Sequence, residues 1–425
     1  MSAVARRRGW CPGALRPMLT GDGLLVRVRI TGGVVPPALA RALAQAAVEH
    51  GNGLIDLSAR ANLQLRGVRE ESLPRLQASL GTLGLLDGDE AAEQVRNVMA
   101  SPLAGIDPTA VDISALVREL EAALVAARDL HGLPAKFFFA VDGGGVLPLD
   151  VEADVGITAV PAGLFRIAAA GHGVAEVAAT GVVPAALDLA RTFLASRSGD
   201  ERRMSQLMQR SASGATTQQP PSLTPRLSTR DAPLAGWVPL LADIGAFAVA
   251  IPFGRLNAGQ LVGLADLAQA HGAALRLTPW RAILLAPLKA DDAANITRRV
   301  DALGLVTDAA NPLLHIAACP GSPACLSGEA DVQADARRLA AALRPSLPDG
   351  ASLHLSGCPK GCARREPATI SLTADSGRYA LAFHARADDP RQTGPMALDE
   401  VRDFLASAGI PAYAAPADAE RATNA

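Results

Sequence analysis

LLVRVRITGGVVPPALARALAQAAVEHGNGLIDLSARANLQLRGV, residues 24–68, is the stretch that decides the fold. Residues 24–30 alternate: Val26, Val28 and Ile30 share one face, Arg27 and Arg29 the other, which is the period of a half-buried strand. Pro36 and Pro37 then open an Ala-rich helix that Gly51 closes, proline being tolerated in a first turn and glycine favoured past the last. From Leu54 the pattern returns to a strand, with Asn62, Gln64 and Arg66 alternating against Leu63 and Leu65. About 220 residues further on, AFAVAIPFG, LNAGQLVGLADLAQAHG and ALRLTPWRAILLAPL repeat the same order between Ala246 and Leu288. Both copies end a helix at glycine and enter a strand with Leu-Ser or Leu-Thr, at Leu57-Ser58 and Leu277-Thr278. A strand–helix–strand unit present twice predicts a duplicated architecture.

Between the copies, residues 198–233 are rich in Ser, Thr, Gln and Pro without a sustained apolar period. They read as a linker. The chain is therefore expected to be α+β, with two pseudo-equivalent halves. The first has a repeat unit at 1–80 and a mixed α/β segment at 90–197; the second has a repeat unit at 234–300 and a mixed segment at 305–425. In the mixed segments a helix is expected over residues 111–130 and strands at 136–143 and 163–170. A helix over 331–347 and a strand at 369–374 follow in the second. Gly143, Gly144 and Gly145 read as a hairpin turn.

Composition bounds the function. The chain has 425 residues, 49% hydrophobic and 19% charged, enough apolar material for several cores and too much for whole-chain disorder. Forty basic residues against 42 acidic ones give a net charge of −2, and aromatics are 3%. Neither the basic footprint nor the stacking surface of a nucleic-acid binder is present. Only Lys136, Lys289 and Lys360 are lysines, so a single arginine is weak evidence here and a lysine more informative. No apolar run follows Arg6-Arg7-Arg8, and the most apolar stretch, 155–187, is interrupted by Arg166, His172 and Glu176. No signal peptide or membrane span is expected, and the expected location is the cytoplasm.

Four of the five cysteines cluster, as Cys319-x5-Cys325-x32-Cys358-x3-Cys362. Four thiolates suit zinc or an iron–sulfur cluster. Structural zinc favours tight knuckles, and a five-residue gap holding Pro320 and Pro323 fits one poorly. A cubane is larger and accepts wide, unequal loops. Pro320-Gly321 and Pro359-Lys360-Gly361 would supply turns whose N–H groups donate to sulfur. A 4Fe–4S cluster on Cys319, Cys325, Cys358 and Cys362 is the stronger expectation.

ACPGSPAC and SGCPKGC, in that spacing, resemble the cluster motif of the nitrite and sulfite reductase superfamily, and the duplicated halves are similar to that superfamily's architecture over nearly the whole chain. WCPGALRPMLTGDGLLVRVR, residues 10–29, resembles the N-terminal signature of the precorrin-3B synthase family within it. What the resemblance implies for fold is two nitrite/sulfite-reductase-like halves, each a ferredoxin-like half-domain unit followed by a mixed α/β segment. For function it implies an oxygenase of aerobic cobalamin biosynthesis, acting on precorrin-3A and dioxygen with an external electron donor, NADH through a reductase or ferredoxin. The alternative it leaves open is a siroheme- and 4Fe–4S-dependent sulfite or nitrite reductase.

In that superfamily a polycarboxylate tetrapyrrole lies where the halves meet, and basic side chains hold it. The matching positions are Arg27 and Arg29 on the first strand, Arg60, Asn62, Gln64 and Arg66 on the strand that closes the unit, Arg96 before Asn-Val, and Lys136 in LPAKFFF. Same-face arginines on a strand repel unless an anion or acid faces them, and arginine is suited to bidentate carboxylate binding. The departure from the reductase pattern is Phe138, where the resemblance calls for a second lysine; Phe137, Phe138 and Phe139 together read as an apolar wall. The resemblance also implies an oxygen-activating centre. A mononuclear non-haem iron is one such centre, though no set of two histidines and a carboxylate is legible. His50 and His271 sit at equivalent helix ends and suit the helix dipole. His172 and Cys11 carry no assigned role, and no dinucleotide-binding motif precedes a helix.

Overall fold

The computed structural model describes residues 11–213, 234–343 and 351–408. The chain divides into two compact units, residues 1–309 and 310–425.

Unit 1 opens with the first repeat: β1 (Met18–Thr20), β2 (Gly23–Val28), β3 (Val34–Val35), α1 (Pro37–His50), β4 (Leu54–Leu57), β5 (Leu63–Val68) and α2 (Leu73–Thr82). A mixed module follows: α3 (Glu90–Val95), β6 (Val98–Ala100), α4 (Ser114–Ala126), β7 (Phe139–Asp142), β8 (Val155–Val160), β9 (Leu164–Ala169), β10 (His172–Ala178), α5 (Ala179–Ser196) and α6 (Met204–Ser213). The second repeat is β11 (Gly236–Pro239), β12 (Ile244–Ala250), β13 (Arg255–Asn257), α7 (Ala258–Ala270), β14 (Ala274–Leu277), β15 (Ala282–Lys289) and α8 (Ala293–Ala302).

The repeats exchange strands. One sheet runs β1-β2-β5-β4-β13 and the other β11-β12-β15-β14-β3, so each copy lends its short strand to the other's edge. Arg255, Leu256 and Asn257 pair antiparallel with Asp56, Ile55 and Leu54, while Val34 and Val35 pair with Arg276 and Leu275. The turns that deliver those strands need glycine. Gly33 and Gly254 both have φ near +70°, at +69° and +72°, and a Cβ would stand 3.2 Å from the Leu277 carbonyl oxygen and 2.9 Å from that of Leu57. Each turn thus presses on the strand end of the other repeat. The apolar faces of both sheets and of α1 and α7 merge into one core containing Val26, Val28, Leu65, Leu261, Leu275 and Ile283. Arg41 on α1 holds Asp266 on α7 at 2.7 Å.

The mixed module is a sheet ordered β10-β9-β8-β7-β6. β6, β7 and β8 are parallel, and β9 and β10 return antiparallel. Because β7 and β8 are parallel, Gly143–Gly145 cannot be the hairpin expected from sequence; a parallel pair requires a crossover. The linker reading also needs correction over its first part. Residues 204–213 form α6, whose Met204 and Leu207 are buried in the module's core, while Arg203 and Arg210 pair with Asp154 and Glu201. The apolar residues fall at helical spacing inside a polar composition, so a window average hides them. The remainder of the expected linker, residues 214–233, lies outside the described residues.

Unit 2 comprises β16 (Ile316–Ala318), α9 (Val332–Leu343), β17 (Leu353–Ser356), β18 (Ala368–Asp375), β19 (Arg378–Ala385) and α10 (Leu398–Ala408). Its sheet, β16-β17-β18-β19, has two parallel pairings and then an antiparallel one. That is the plan of β6-β7-β8-β9, so the second mixed segment is a topological copy of the first. The tail end of the helix expected over 331–347 lies outside the described residues. No described helix is long and apolar enough to cross a membrane.

Candidate functional site

The face of β2 and β5 opposite the core carries the predicted cations. Arg27 pairs in register with Gln64. With the Gln64 amide oriented so that its oxygen faces Arg27, it accepts from Nε at 3.1 Å and Nη2 at 2.9 Å. Arg29 is 7% exposed and lies 3.8 Å from Glu93. Arg60 reaches across to the mixed module, where Nη2 donates to the Lys136 carbonyl at 2.7 Å. Its Cζ stands 4.5 Å above the Phe138 ring. Asn62 donates to the Arg60 carbonyl at 3.1 Å and so orients the turn that presents it.

These guanidiniums are not at ease. Arg29 Nε and Nη1 and Arg60 Nη1 are buried without a hydrogen-bond partner. Burial pushes both Arg29 and Arg60 down to about 10; Arg27 adds repulsion to each, and Arg203 adds more to Arg60. Burial also lowers Arg27, opposed by the Cys11 thiol that hydrogen-bonds to it and by Glu93. Desolvated donors without acceptors cost on the order of 1–3 kcal/mol each, more when charged. A face that carries that cost in the protein alone is suited to an anion that supplies the missing acceptors.

Other predicted residues are placed differently. Arg66 is 3% exposed and its donors are held by Asp22, at 2.8 and 3.0 Å, and by Asp56, at 3.0 Å. Arg96 grips Asp87 through Nε at 2.7 Å and Nη2 at 2.9 Å, and Glu121 through Nη1 at 3.2 Å. Both are raised above the ordinary arginine value because these carboxylates outweigh burial. Their donors are thus committed to carboxylates of the fold itself. Lys136 is exposed, and what it gives the site is its carbonyl.

The expected apolar wall is also different. Phe137 and Phe139 turn into the module core, Phe137 stacking on Phe193 at 4.8 Å. Strand alternation sends only Phe138 to the arginine side. There Arg60 and Arg203 cover it, at 4.5 and 5.4 Å, so the wall presents cations over an aromatic ring. Arg203, missed from sequence because it sits in a polar stretch, is fixed by Asp154 at 2.9 Å. Glu93 was also missed. Both its oxygens accept backbone N–H groups, of Ala14 and of Leu15, and so fasten the Cys11–Arg16 loop beside Arg29.

The second repeat shows that the fold does not require this charge. Where Arg27 pairs with Gln64, Ala248 pairs with Leu284. Ala246, Ala248, Ala282, Leu284 and Ala286 make an apolar face, covered by Leu103 and Leu147. One pseudo-equivalent face is filled by protein and the other is cationic.

In unit 2 the cysteines lie on the loops following two adjacent parallel strands, a position where α/β sheets gather ligand groups. Cys319 directly follows β16, and Cys358 and Cys362 follow β17. Gly357 N–H donates to Cys319 Sγ at 3.1 Å. In the copy of this module in unit 1, Gly143 N–H donates to Ser101 Oγ at 3.0 Å, with Ser101 directly after β6 and Gly143 directly after β7. The two loops close to backbone contact: a Cβ on Gly357 would stand 3.2 Å from the Gly328 Cα. Burial raises the Cys319 and Cys362 thiols, and the neighbouring cysteines raise them further. Two buried thiols that resist ionisation, Cys319 and Cys362, fit a cationic group that neutralises their thiolates. Among the described residues no three His, Cys, Asp or Glu side chains converge closely enough to hold a single metal ion, so a mononuclear iron is given no ligand set.

His50 is the last residue of α1 and is buried. His271 caps α7 and meets Asp292 at 3.1 Å. His172 is exposed at the start of β10.

Two strand-exchanged half domains with a cationic sheet face on one of them define a class. The family described as "Nitrite/Sulfite reductase ferredoxin-like half domain" matches residues 16–83 and 245–303, the two repeats. The NirA protein of Mycobacterium tuberculosis has the same fold, with a TM-score of 0.69 at 22% identity, covering 90% of this chain and 79% of that one. The sulfite reductase [ferredoxin] 2 of Mycolicibacterium paratuberculosis is 25% identical over 82% of this chain and 69% of its own. The ferredoxin–nitrite reductase of Synechococcus elongatus is 27% identical over 84% and 77%. Identity is higher, 32% over 414 residues, 91% of this chain and 85% of the relative, with the precorrin-3B synthase of a Sinorhizobium species. The chain belongs to the precorrin-3B synthase family, within the nitrite and sulfite reductase superfamily.

Proposed function

We propose that the chain converts precorrin-3A, with dioxygen and two electrons, into its C20-hydroxylated γ-lactone, the oxidation that precedes ring contraction in aerobic cobalamin biosynthesis. The observation that carries this reading is the pair of guanidiniums with buried, unpartnered donors, those of buried Arg29 and half-buried Arg60, on the non-core side of one repeat, in a chain 32% identical to a precorrin-3B synthase.

Arg27, Arg29 and Arg60 would take carboxylates of the tetrapyrrole, Gln64 holding Arg27 and Asn62 holding Arg60 in place. Phe138 supports Arg60 from beneath, and Arg203, over the same ring, adds positive charge beside it. Arg66 and Arg96 act one step removed, by fixing β5 and the start of β6. Cys319, Cys325, Cys358 and Cys362 would hold a 4Fe–4S cluster, which supplies single-electron transfer when bound. The electrons come from outside the chain, from NADH through a reductase or from ferredoxin.

The cysteine set and the reductase relatives favour one other reading, a siroheme-dependent sulfite or nitrite reductase. Phe138 weighs against it, because it stands where the resemblance calls for a second lysine beside a small anion. Protein purified without oxygen separates the two. A broad, dithionite-bleachable shoulder without Soret or red bands, and ¹⁸O from ¹⁸O₂ in the new hydroxyl, are expected. Siroheme bands with sulfite or nitrite turnover, or label arriving from water, would replace the first reading by the second.

A further inference from the structure

A cavity of about 230 Å³ opens beside the arginine face, walled by Cys11, Gly13, Arg29, Glu93, Gln94 and His131, with Arg16 and Glu90 also lining it. It is too small for a macrocycle, since clefts for drug-sized ligands run to about 300–1,000 Å³, and roomy for one carboxymethyl or carboxyethyl arm. Its deepest cation is Arg29, more than nine-tenths buried with Nε and Nη1 unpartnered. The nearby carboxylate does not fill that need: Glu93 accepts from the Ala14 and Leu15 N–H groups and stays 3.8 Å from Arg29. Glu90 faces Arg16 at 3.8 Å, both half-exposed or more. Cys11 is half-buried and its sulfur is tied to Arg27. Glu93 also fixes its place, since a Cβ on Gly13 would stand 2.0 Å from Glu93 Oε2.

Resting on the reading above, we propose that this cavity is a subsite for one carboxylate arm of the anionic substrate, with Arg29 taking the carboxylate and Cys11 flanking the arm as a specificity-determining contact. It follows that Cys11 is a site of covalent modification for small carboxylate-bearing electrophiles. Cysteine sulfur is the nucleophile in such alkylations. With iodoacetate anchored on Arg29, the Cys11 sulfur displaces iodide: an S–C bond forms, the C–I bond breaks, iodide leaves, and the thiol proton passes to water.

The test is alkylation of the full-length holoprotein by iodoacetate and by iodoacetamide, followed on the Cys11 peptide by mass spectrometry. Relative to the same two reagents on glutathione, Cys11 should prefer the anionic reagent by at least about tenfold, the energy of one modest charge contact, and its rate should saturate with iodoacetate. Arg29→Met should remove most of the preference and Arg29→Lys should keep part of it. A wild-type preference equal to that of glutathione, or one that survives Arg29→Met, overturns the subsite. Should Arg29→Met not fold, the wild-type ratio and the Arg29→Lys variant still decide. Uroporphyrin, an octacarboxylate tetrapyrrole, should protect Cys11. Retained anion preference without such protection leaves the subsite standing and sinks the tetrapyrrole reading on which its physiological occupant depends.

Discussion

Arg66→Met tests the distinction between a ligand-facing arginine and one held within the fold. The pattern Arg60, Asn62, Gln64, Arg66 gives all four the same standing, yet Arg66 is 3% exposed and donates at 2.8–3.0 Å to Asp22 and Asp56. Methionine keeps the hydrocarbon stem and removes the charge. Breaking a buried pair from one side costs about 3–5 kcal/mol. Here the lower end applies, because neither acid is abandoned. Asp56 keeps Arg255 at 2.7 and 3.0 Å, and Asp22 keeps Thr20 at 2.8 Å and Asn52 at 3.0 Å. A loss of about 3 kcal/mol corresponds to a fall in Tm of roughly 6–12 °C for a domain of a few hundred residues. Tryptophan fluorescence reads unit 1 selectively, since Trp237 and Trp280, like Trp10, precede residue 310. The pH dependence has a definite sign. Burial pushes Asp22 up, but Arg66 outweighs it and holds the carboxyl below its ordinary value. That contribution is complete above the unfolded value of about 3.9 and is lost as pH falls through the lower folded one. The gap between wild type and Arg66→Met should therefore be constant from neutral pH down to about 5 and close below about 4. A fall in Tm under about 2 °C, joined to weakened tetrapyrrole binding, would refute the reasoning and return Arg66 to the ligand face.

Three further outcomes are expected. Arg60→Ala should weaken precorrin-3A binding about 10- to 150-fold, the worth of one charge-assisted contact of about 1.5–3 kcal/mol, whereas Lys136→Ala, which keeps the carbonyl that Arg60 uses, should change it less than about threefold; equilibrium titration compares the two. Phe138→Leu should cost about 1 kcal/mol of cation–π support and roughly fivefold in the same affinity, with iron and sulfide content unchanged, and an unaltered Kd would mean that Arg60 needs no platform. Cys358→Ser should abolish the cluster absorbance and lower the protease resistance of unit 2, metal binding being coupled to local folding; near-stoichiometric retained iron and sulfide would remove Cys358 from the ligand set.

Sequence pattern carried the fold a long way because the apolar periods of the two repeats are strong and nearly identical. It could not reveal that Val34–Val35 and Arg255–Asn257 change places, since exchanging an equivalent edge strand between equivalent copies leaves every period intact. α6 was hidden by the surrounding Ser, Gln and Arg, and the parallel pairing of β7 with β8 by a glycine run that equally suits a hairpin. At the site, alternation identified the right face but could not rank its arginines. Arg27, Arg29 and Arg60 differ from Arg66 and Arg96 only in which carboxylates fold against them. Asp22, Asp56, Asp87 and Glu121 stand in segments whose contacts are tertiary.

Duplication supplies the control that single folds lack. Where two copies share a backbone plan, residues that differ between them are not demanded by that plan. The second repeat carries alanine and leucine on the face where the first carries Arg27, Gln64 and Arg66, and both sheets pair equally well. The module in unit 1 closes the ends of β6 and β7 with Gly143 donating to the Ser101 hydroxyl, and the module in unit 2 closes β16 and β17 with Gly357 donating to the Cys319 sulfur. One atom differs in the acceptor, and the backbone follows in both cases. Arg27, Arg29 and Arg60 of one repeat and the cysteines of one module are thus not demanded by the shared backbone plan, whereas Arg66 is tied into its own copy by Asp22 and Asp56. Buried unpartnered guanidiniums and crowded thiols are costs that the other copy avoids, and that asymmetry is what supports the two ligands proposed above, an anion on the sheet and an iron–sulfur group at the strand ends.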